Sequence, residues 1–298
     1  MNGELRIGVS GWTYAPWRGN FFPKQLPQRG ELHFASHVFR SIEINGTFYG
    51  LQTPKAFGEW RDQTPDDFIF AVKGSRFITH LLRLRDPLAP LANFFASGVL
   101  RLGPKLGPVL WQFPPNFQFD PELLGTFLDL LPHSAEDAID LARQHDRRQK
   151  HDPWLDASGV KRIRHAVEIR HDSFHDPRFT RLLRQCNVAL VCADTVKWPR
   201  LMDLTADFVY CRLHGSQELY RSGYDDAALN RWAARARCWL GGKPMHDGEF
   251  IDHTPPPRLT RDVFIYFDNT DKLHAPEDAK SLIAKLHSTT RNDRNEVK

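Results

Sequence analysis

The chain has 298 residues, of which 41% are hydrophobic and 26% charged, an ordinary balance for a soluble globular protein. Its formal charge of +4 and pI near 8.9 fit an anionic ligand; nucleic acid is compatible but not favoured, because no Lys- or Arg-rich tract forms a binding arm. No apolar run approaches the ~18 residues of a membrane helix, and the start MNGELRIGVSGW lacks a signal core, so a cytoplasmic protein without membrane contact is expected.

Eight β-rich runs alternate with amphipathic segments. In chain order the expected strands are Leu5–Val9, Ser41–Asn45, Phe68–Lys73, Pro108–Phe113, His165–Arg170, Val188–Asp194, Phe208–His214 and Val263–Asp268. Helical patterns fall at Glu31–Phe39, Pro121–Leu131, Pro177–Cys186, Asp226–Leu240 and Pro276–His287. Such alternation forces parallel strands, because each connection must cross back over the sheet. Eight units fit a single (β/α)8 barrel of the TIM type over residues 1–287. The alternative is an open doubly wound sheet, but the first turn, GVSGWTYAPW, lacks the G-x-G-x-x-G spacing of that fold. Residues Pro132–Lys161 read as an extra helix and loop, Gly241–Asp262 as a long loop, and 288–298 as a polar tail. The four cysteines form no C-x-x-C pair and no zinc spacing.

The motifs GVSGWTYAPWRGNFFP, SIEINGTFYGLQTP, FAVKGSRFITH, GPVLWQFPPNF, HAVEIRHDSF, CRLHGS and VFIYFDNT occur in the order found in the YecE-like family, domain of unknown function 72, which the chain resembles from Arg6 to about Leu286. Seven motifs in order are specific where one would be weak. The resemblance implies a (β/α)8-type fold and marks positions, and it assigns no reaction. One departure is visible: the last motif reads Asp268–Asn269–Thr270 where the family pattern has two asparagines before threonine. A carboxylate, which only accepts, stands in place of an amide.

In such a barrel the reactive residues project from the C-terminal strand ends. Strand side chains alternate, so one parity faces the axis and the other packs on helices. Ile42, Ile44, Val167, Ile169, Val209, Cys211, Leu213, Ile265 and Phe267 are apolar and are expected to face outward. Glu43, Asn45, Glu168, Arg170, Tyr210, Arg212, His214, Tyr266 and Asp268 then point inward. Ser10, Lys73, Gln112 and Asp194 end the other strands. Ionisable groups in an enclosed volume are costly unless paired or used. They read either as a polar active site or as ion pairs such as Glu43 or Glu168 with Arg212 or Arg170.

Aromatics crowd the loops above: Trp12, Tyr14 and Trp17, then Phe48 and Tyr49, Phe113 and Phe117, and Trp198. Trp12 and Tyr14 serve equally well as stacking faces for a ligand or as loop packing. The segment Gln217–Asp225 is a lid or an ordinary ordered loop. Few histidines lie near strand ends, and Lys73, Arg170 and Arg212 repel a cation, so no metal is expected. No P-loop, G-x-S-x-G elbow or dinucleotide fingerprint occurs, so no cofactor is expected either.

The leading expectation is a metal-independent enzyme acting on a small anionic or sugar-phosphate-like substrate. Glu43, Glu168 and His214 would be catalytic, with the two carboxylates as acid and base. Asn45, Lys73, Gln112, Arg170, Arg212, Asp268, Trp12 and Tyr14 would bind substrate. The alternatives are a metal-dependent nucleic-acid-processing barrel and a non-catalytic ligand-binding protein.

Overall fold

A computed structural model describes residues 3–148, 151–215, 223–243, 245–252, 257–268 and 273–292, with only the course of the helix given for 288–292. Its strands are β1 (Leu5–Ser10), β2 (Ser41–Ile44), β3 (Ile69–Lys73), β4 (Leu106–Gln112), β5 (His165–Glu168), β6 (Ala189–Asp194), β7 (Phe208–Leu213) and β8 (Asp262–Phe267). They pair in parallel, each with the next, and β1 pairs with β8 through Leu5↔Val263 to Val9↔Phe267, which closes the barrel. The expected TIM-type barrel is therefore the fold.

Among the described residues the helices are α1 (Glu31–Val38), α2 (Gly46–Tyr49), α3 (Pro54–Asp62), α4 (Leu88–Ala96), α5 (Pro121–Asp129), α6 (Ala135–Ala142), α7 (Pro177–Gln185), α8 (Asp226–Leu240) and α9 (Ala275–Asn292). Three begin on one local rule. Thr53, Asp120 and Asp176 each accept a hydrogen bond from a first-turn amide and are followed by proline, whose fixed φ suits the first helical position. Ser134 and Asp137 close a capping box that starts α6 inside the segment between β4 and β5. The last helix continues past His287 to Asn292. No described helix is long and apolar enough to cross a membrane.

Alternation splits the buried apolar side chains into two bodies. Ile42, Ile44, Val167, Ile169, Val209, Cys211, Leu213, Ile265 and Phe267 join the layer between strands and helices. Ala71, Leu110, Ala166, Val191, Phe208, Tyr210, Phe264 and Tyr266 fill the barrel. Parity in β2, β5, β7 and β8 is as read from the sequence. Gly8 lets β1 approach β2, since a Cβ there would lie 1.8 Å from the Ser41 carbonyl oxygen.

Asp194 departs from the expectation that it lines the mouth. It shares parity with Leu190 and Cys192, which face the helices. Its Oδ2 accepts from Trp232 Nε1 on α8 at 3.2 Å, and its Oδ1 from Arg200 Nη1 at 3.3 Å. Being last in a strand does not put a residue inside; alternation decides.

Candidate active site at the C-terminal mouth

The polar layer lies on top of the apolar barrel filling, at the strand ends. Its centre is Arg212 of β7, fully buried. Arg212 Nε donates to Glu43 Oε2 at 3.1 Å and Nη2 to Glu43 Oε1 at 2.9 Å. Nη1 donates to Glu168 Oε2 at 2.6 Å, and Nη2 also to Asp268 Oδ2 at 2.6 Å. One guanidinium thus bridges carboxylates from β2, β5 and the end of β8. Its charge is held firmly: burial opposes ionisation, but Asp268, Glu43 and Glu168 outweigh it and raise the Arg212 pKa. The space between these carboxylates is filled by the guanidinium, and no grouping of three or more His, Cys, Asp or Glu suited to a metal occurs among the described residues.

Glu43 takes two further bonds, from Tyr210 Oη at 2.6 Å and Ser10 Oγ at 2.8 Å. Both donors sit on the inward parity of neighbouring or facing strands, so pattern reading finds them inside without revealing that they serve Glu43. Tyr210 is kept protonated by burial and by Glu43, which makes it a fixed donor. Glu168 is also fully buried and holds Arg170 Nε at 2.9 Å. Burial alone would raise its pKa, but Arg212 and Arg170 more than offset that and hold it well below the carboxylate range. Glu168 is a permanent anion at neutral pH rather than a group poised to exchange protons. Arg170 lies over Trp198, 4.1 Å from the ring centroid to Cζ.

Lys73 ends β3 on the inward parity of Ala71. Its Nζ lies 4.3 Å from the Phe48 ring centroid, and Phe48 meets His80 edge-on at 5.0 Å. Burial and then the nearby Arg212 charge lower the Lys73 pKa to about 8, against the pull of Glu43, Asp268 and Glu168. His214 is buried, with Nδ1 3.4 Å from Asp268 Oδ2. Burial, aided by Arg212, lowers its pKa to about 3, so at neutral pH it is a neutral imidazole that adds no positive charge to the cluster.

The remaining expected site residues lie around this cluster or beside it. Gln112 is paired in register with Glu168 and is buried. Asn45 follows β2 as the residue before α2 and is partly buried. Trp12 packs edge-on against Trp60 of α3 at 5.5 Å. Tyr14 packs on Trp17 at 5.0 Å and donates its hydroxyl to the Ser10 carbonyl at 2.7 Å. These contacts tie both rings into the loop after β1. Of the segment Gln217–Asp225, residues 217–222 lie outside the described residues; Tyr224 is buried, and its hydroxyl accepts from the Gly215 amide at 3.0 Å. Asn269 and Thr270 also lie outside the described residues.

Comparison with known proteins agrees with the motifs. The chain is 32% identical over 129 residues to the UPF0759 protein YecE of Escherichia coli (strain K12), covering 43% of this chain and 44% of that protein. It is 31% identical over 118 residues to the UPF0759 protein YunF of Bacillus subtilis (strain 168), covering 38% and 41%. The chain thus spans less than half the length of the curated relatives it matches. In structure it is similar to a DUF72 family protein from Thermotoga maritima MSB8, with TM-score 0.69 and 22% identity over 95% of this chain and 99% of that one. A DUF72 family protein from Enterococcus faecalis V583 follows with TM-score 0.63 and 15% identity over 97% and 98%. Residues 6–297 match the family described as Protein of unknown function DUF72, and the chain belongs to that family.

Proposed function

We propose that the protein is an enzyme that takes a small anionic or sugar-phosphate-like substrate at the C-terminal mouth of its barrel and works without a metal. The observation that carries this reading is the layering of charge. Glu43 and Glu168 are wholly buried and saturated by Arg212, Tyr210, Ser10 and Arg170. Above them Arg170 and Asp268 keep partial side-chain exposure, at 12% and 16%, beside the buried Lys73. A substrate meets that upper layer first. Arg170 offers its remaining guanidinium edge to a phosphate or carboxylate. Asp268 is the carboxylate nearest solvent and is the group placed for acid/base work, with neutral His214 beside it. Glu43 and Glu168, expected as the acid/base pair, are better suited to fixing Arg212 and Arg170 in position.

Calorimetric titration with inorganic phosphate tests the reading. Weak binding that declines as salt rises, and is lost in Arg170→Ala, is expected. Absence of phosphate binding by the wild-type chain at low salt would overturn it.

A further inference from the structure

Among the described residues two lysines, Lys73 and Lys105, are buried, and they are treated differently. Lys105 Nζ donates to the Arg61 carbonyl at 2.6 Å, the Thr64 carbonyl at 2.7 Å and Thr64 Oγ1 at 3.2 Å. All three of its ammonium donors are consumed, so its role is structural. Lys73 is 9% exposed, yet among the described residues its Nζ makes no hydrogen bond and has no carboxylate oxygen within 4.0 Å. Its only close partner there is the face of Phe48. The backbone beneath is held firmly: the Lys73 carbonyl accepts from Thr47 Oγ1 at 2.6 Å, and the Gly74 amide donates to the Leu110 carbonyl at 2.8 Å. A rigidly mounted, mostly buried amine at a strand end, left without an ion pair beside Glu43, Glu168 and Asp268, is costly to keep for stability alone. The carboxylates that would neutralise it are instead committed to Arg212.

We infer that Lys73 is a nucleophile that forms an imine with a small aldehyde or ketone carrying a carboxylate or phosphate. The inference rests on the anionic-substrate reading above and names the substrate class. The neutral amine adds its lone pair to the carbonyl carbon, forming a C–N bond while the carbonyl π electrons move to oxygen. The carbinolamine then loses water: both protons of the amine leave on that oxygen, the C–O bond breaks, and the C=N bond forms. Asp268, whose charge acts on Lys73, would take up and return these protons through an intervening water. Protonated, the imine draws electrons from an adjacent C–H or C–C bond, which is how amine catalysis activates such bonds. The polar neighbourhood supplies what the amine needs. With its pKa near 8, roughly a tenth of Lys73 is neutral at pH 7. That is a neutral fraction roughly 300-fold above that of an ordinary lysine. Arg170 supplies the contact for the anionic end.

The test is reductive trapping on the full chain. Pyruvate and dihydroxyacetone phosphate are incubated separately with the protein and sodium cyanoborohydride, followed by intact mass and peptide mapping. Hydride adds to the imine carbon, so the adduct weighs the probe less one oxygen atom. The expected result is one adduct, on the peptide holding Lys73, formed at least about tenfold faster than on exposed Lys55. Its rate should rise with pH around 8 rather than around 10.5, and phosphate should compete. The two probes separate a 2-oxo acid from a ketose phosphate as the preferred carbonyl. Lys73→Met, checked for folding by circular dichroism, should lose the adduct. Because mapping is done on the wild type, the test does not depend on that variant folding. Adducts spread over surface lysines without preference for Lys73 would overturn the inference. So would absence of trapping while phosphate still binds calorimetrically, a result that leaves the anionic-substrate reading standing. Absence of both trapping and phosphate binding would overturn the two together.

Discussion

Arg212 and Glu43 meet side-on at the floor of the mouth, with Nε to Oε2 at 3.1 Å and Nη2 to Oε1 at 2.9 Å, both residues fully buried. Arg212 also holds Glu168 and Asp268, so truncating it strands three carboxylates. Arg212→Ala is expected to cost about 3–5 kcal/mol, the usual penalty for an uncompensated buried charge. Denaturant unfolding of wild type and variant measures it. A loss under about 1 kcal/mol would mean that Arg212 is not the internal counter-charge.

Glu168 gives the barrel an acid limit. Its folded pKa lies below its unfolded value, because Arg212 and Arg170 outweigh the effect of burial. The unfolded chain therefore binds this proton first as pH falls, so the stabilisation is complete above about pH 4.5 and is lost below it. Melting temperature measured from pH 6 to pH 2.5 should fall steeply in the lower half of that range. Glu168→Gln should be less stable at pH 7 and show a shallower fall. Parallel curves would rule out Glu168 as the source.

His165 contributes a second slope at milder pH. It is fully buried on the helix-facing side, with Nδ1 accepting from Trp111 Nε1 at 3.1 Å and Nε2 donating to the Pro132 carbonyl at 2.8 Å. Burial lowers its pKa to about 3, so it folds neutral. Between about pH 6.5 and that value the unfolded state binds the extra proton. Stability should drop there by at most about 1.4 kcal/mol for each tenfold rise in proton concentration. His165→Gln, which retains one acceptor and one donor, should flatten the dependence between pH 6.5 and 5. An unchanged slope would assign it elsewhere.

Trp198 backs Arg170 at 4.1 Å and is only partly buried. Trp198→Leu should therefore cost at most about 1 kcal/mol in stability. Phosphate affinity should nevertheless fall severalfold, since Arg170 loses the face that orients its free edge. Calorimetry beside thermal unfolding reads both quantities. Unchanged phosphate affinity would separate the stack from the ligand site.

Period-two alternation in runs such as SIEI and FVYCRL determined by itself that Glu43 and Arg212 face inward while Ile42 and Leu213 face helices, because side-chain direction in a strand is a local consequence of the pleat. Eight strand–helix units likewise determined the barrel. The same alternation, not its place at the strand end, sets Asp194: its parity with Leu190 and Cys192 turns it to Trp232. What only the tertiary structure decided is which inward charges neutralise which. Glu43, Glu168, Arg212 and Asp268 come from β2, β5, β7 and the end of β8, and they touch only because closing the sheet carries distant strands across one axis. That closure gives Arg212 all three carboxylates and, among the described residues, leaves Lys73, equally inward in the sequence pattern, without one. Pairing across a barrel depends on strand register and side-chain reach, and neither is encoded in any single segment.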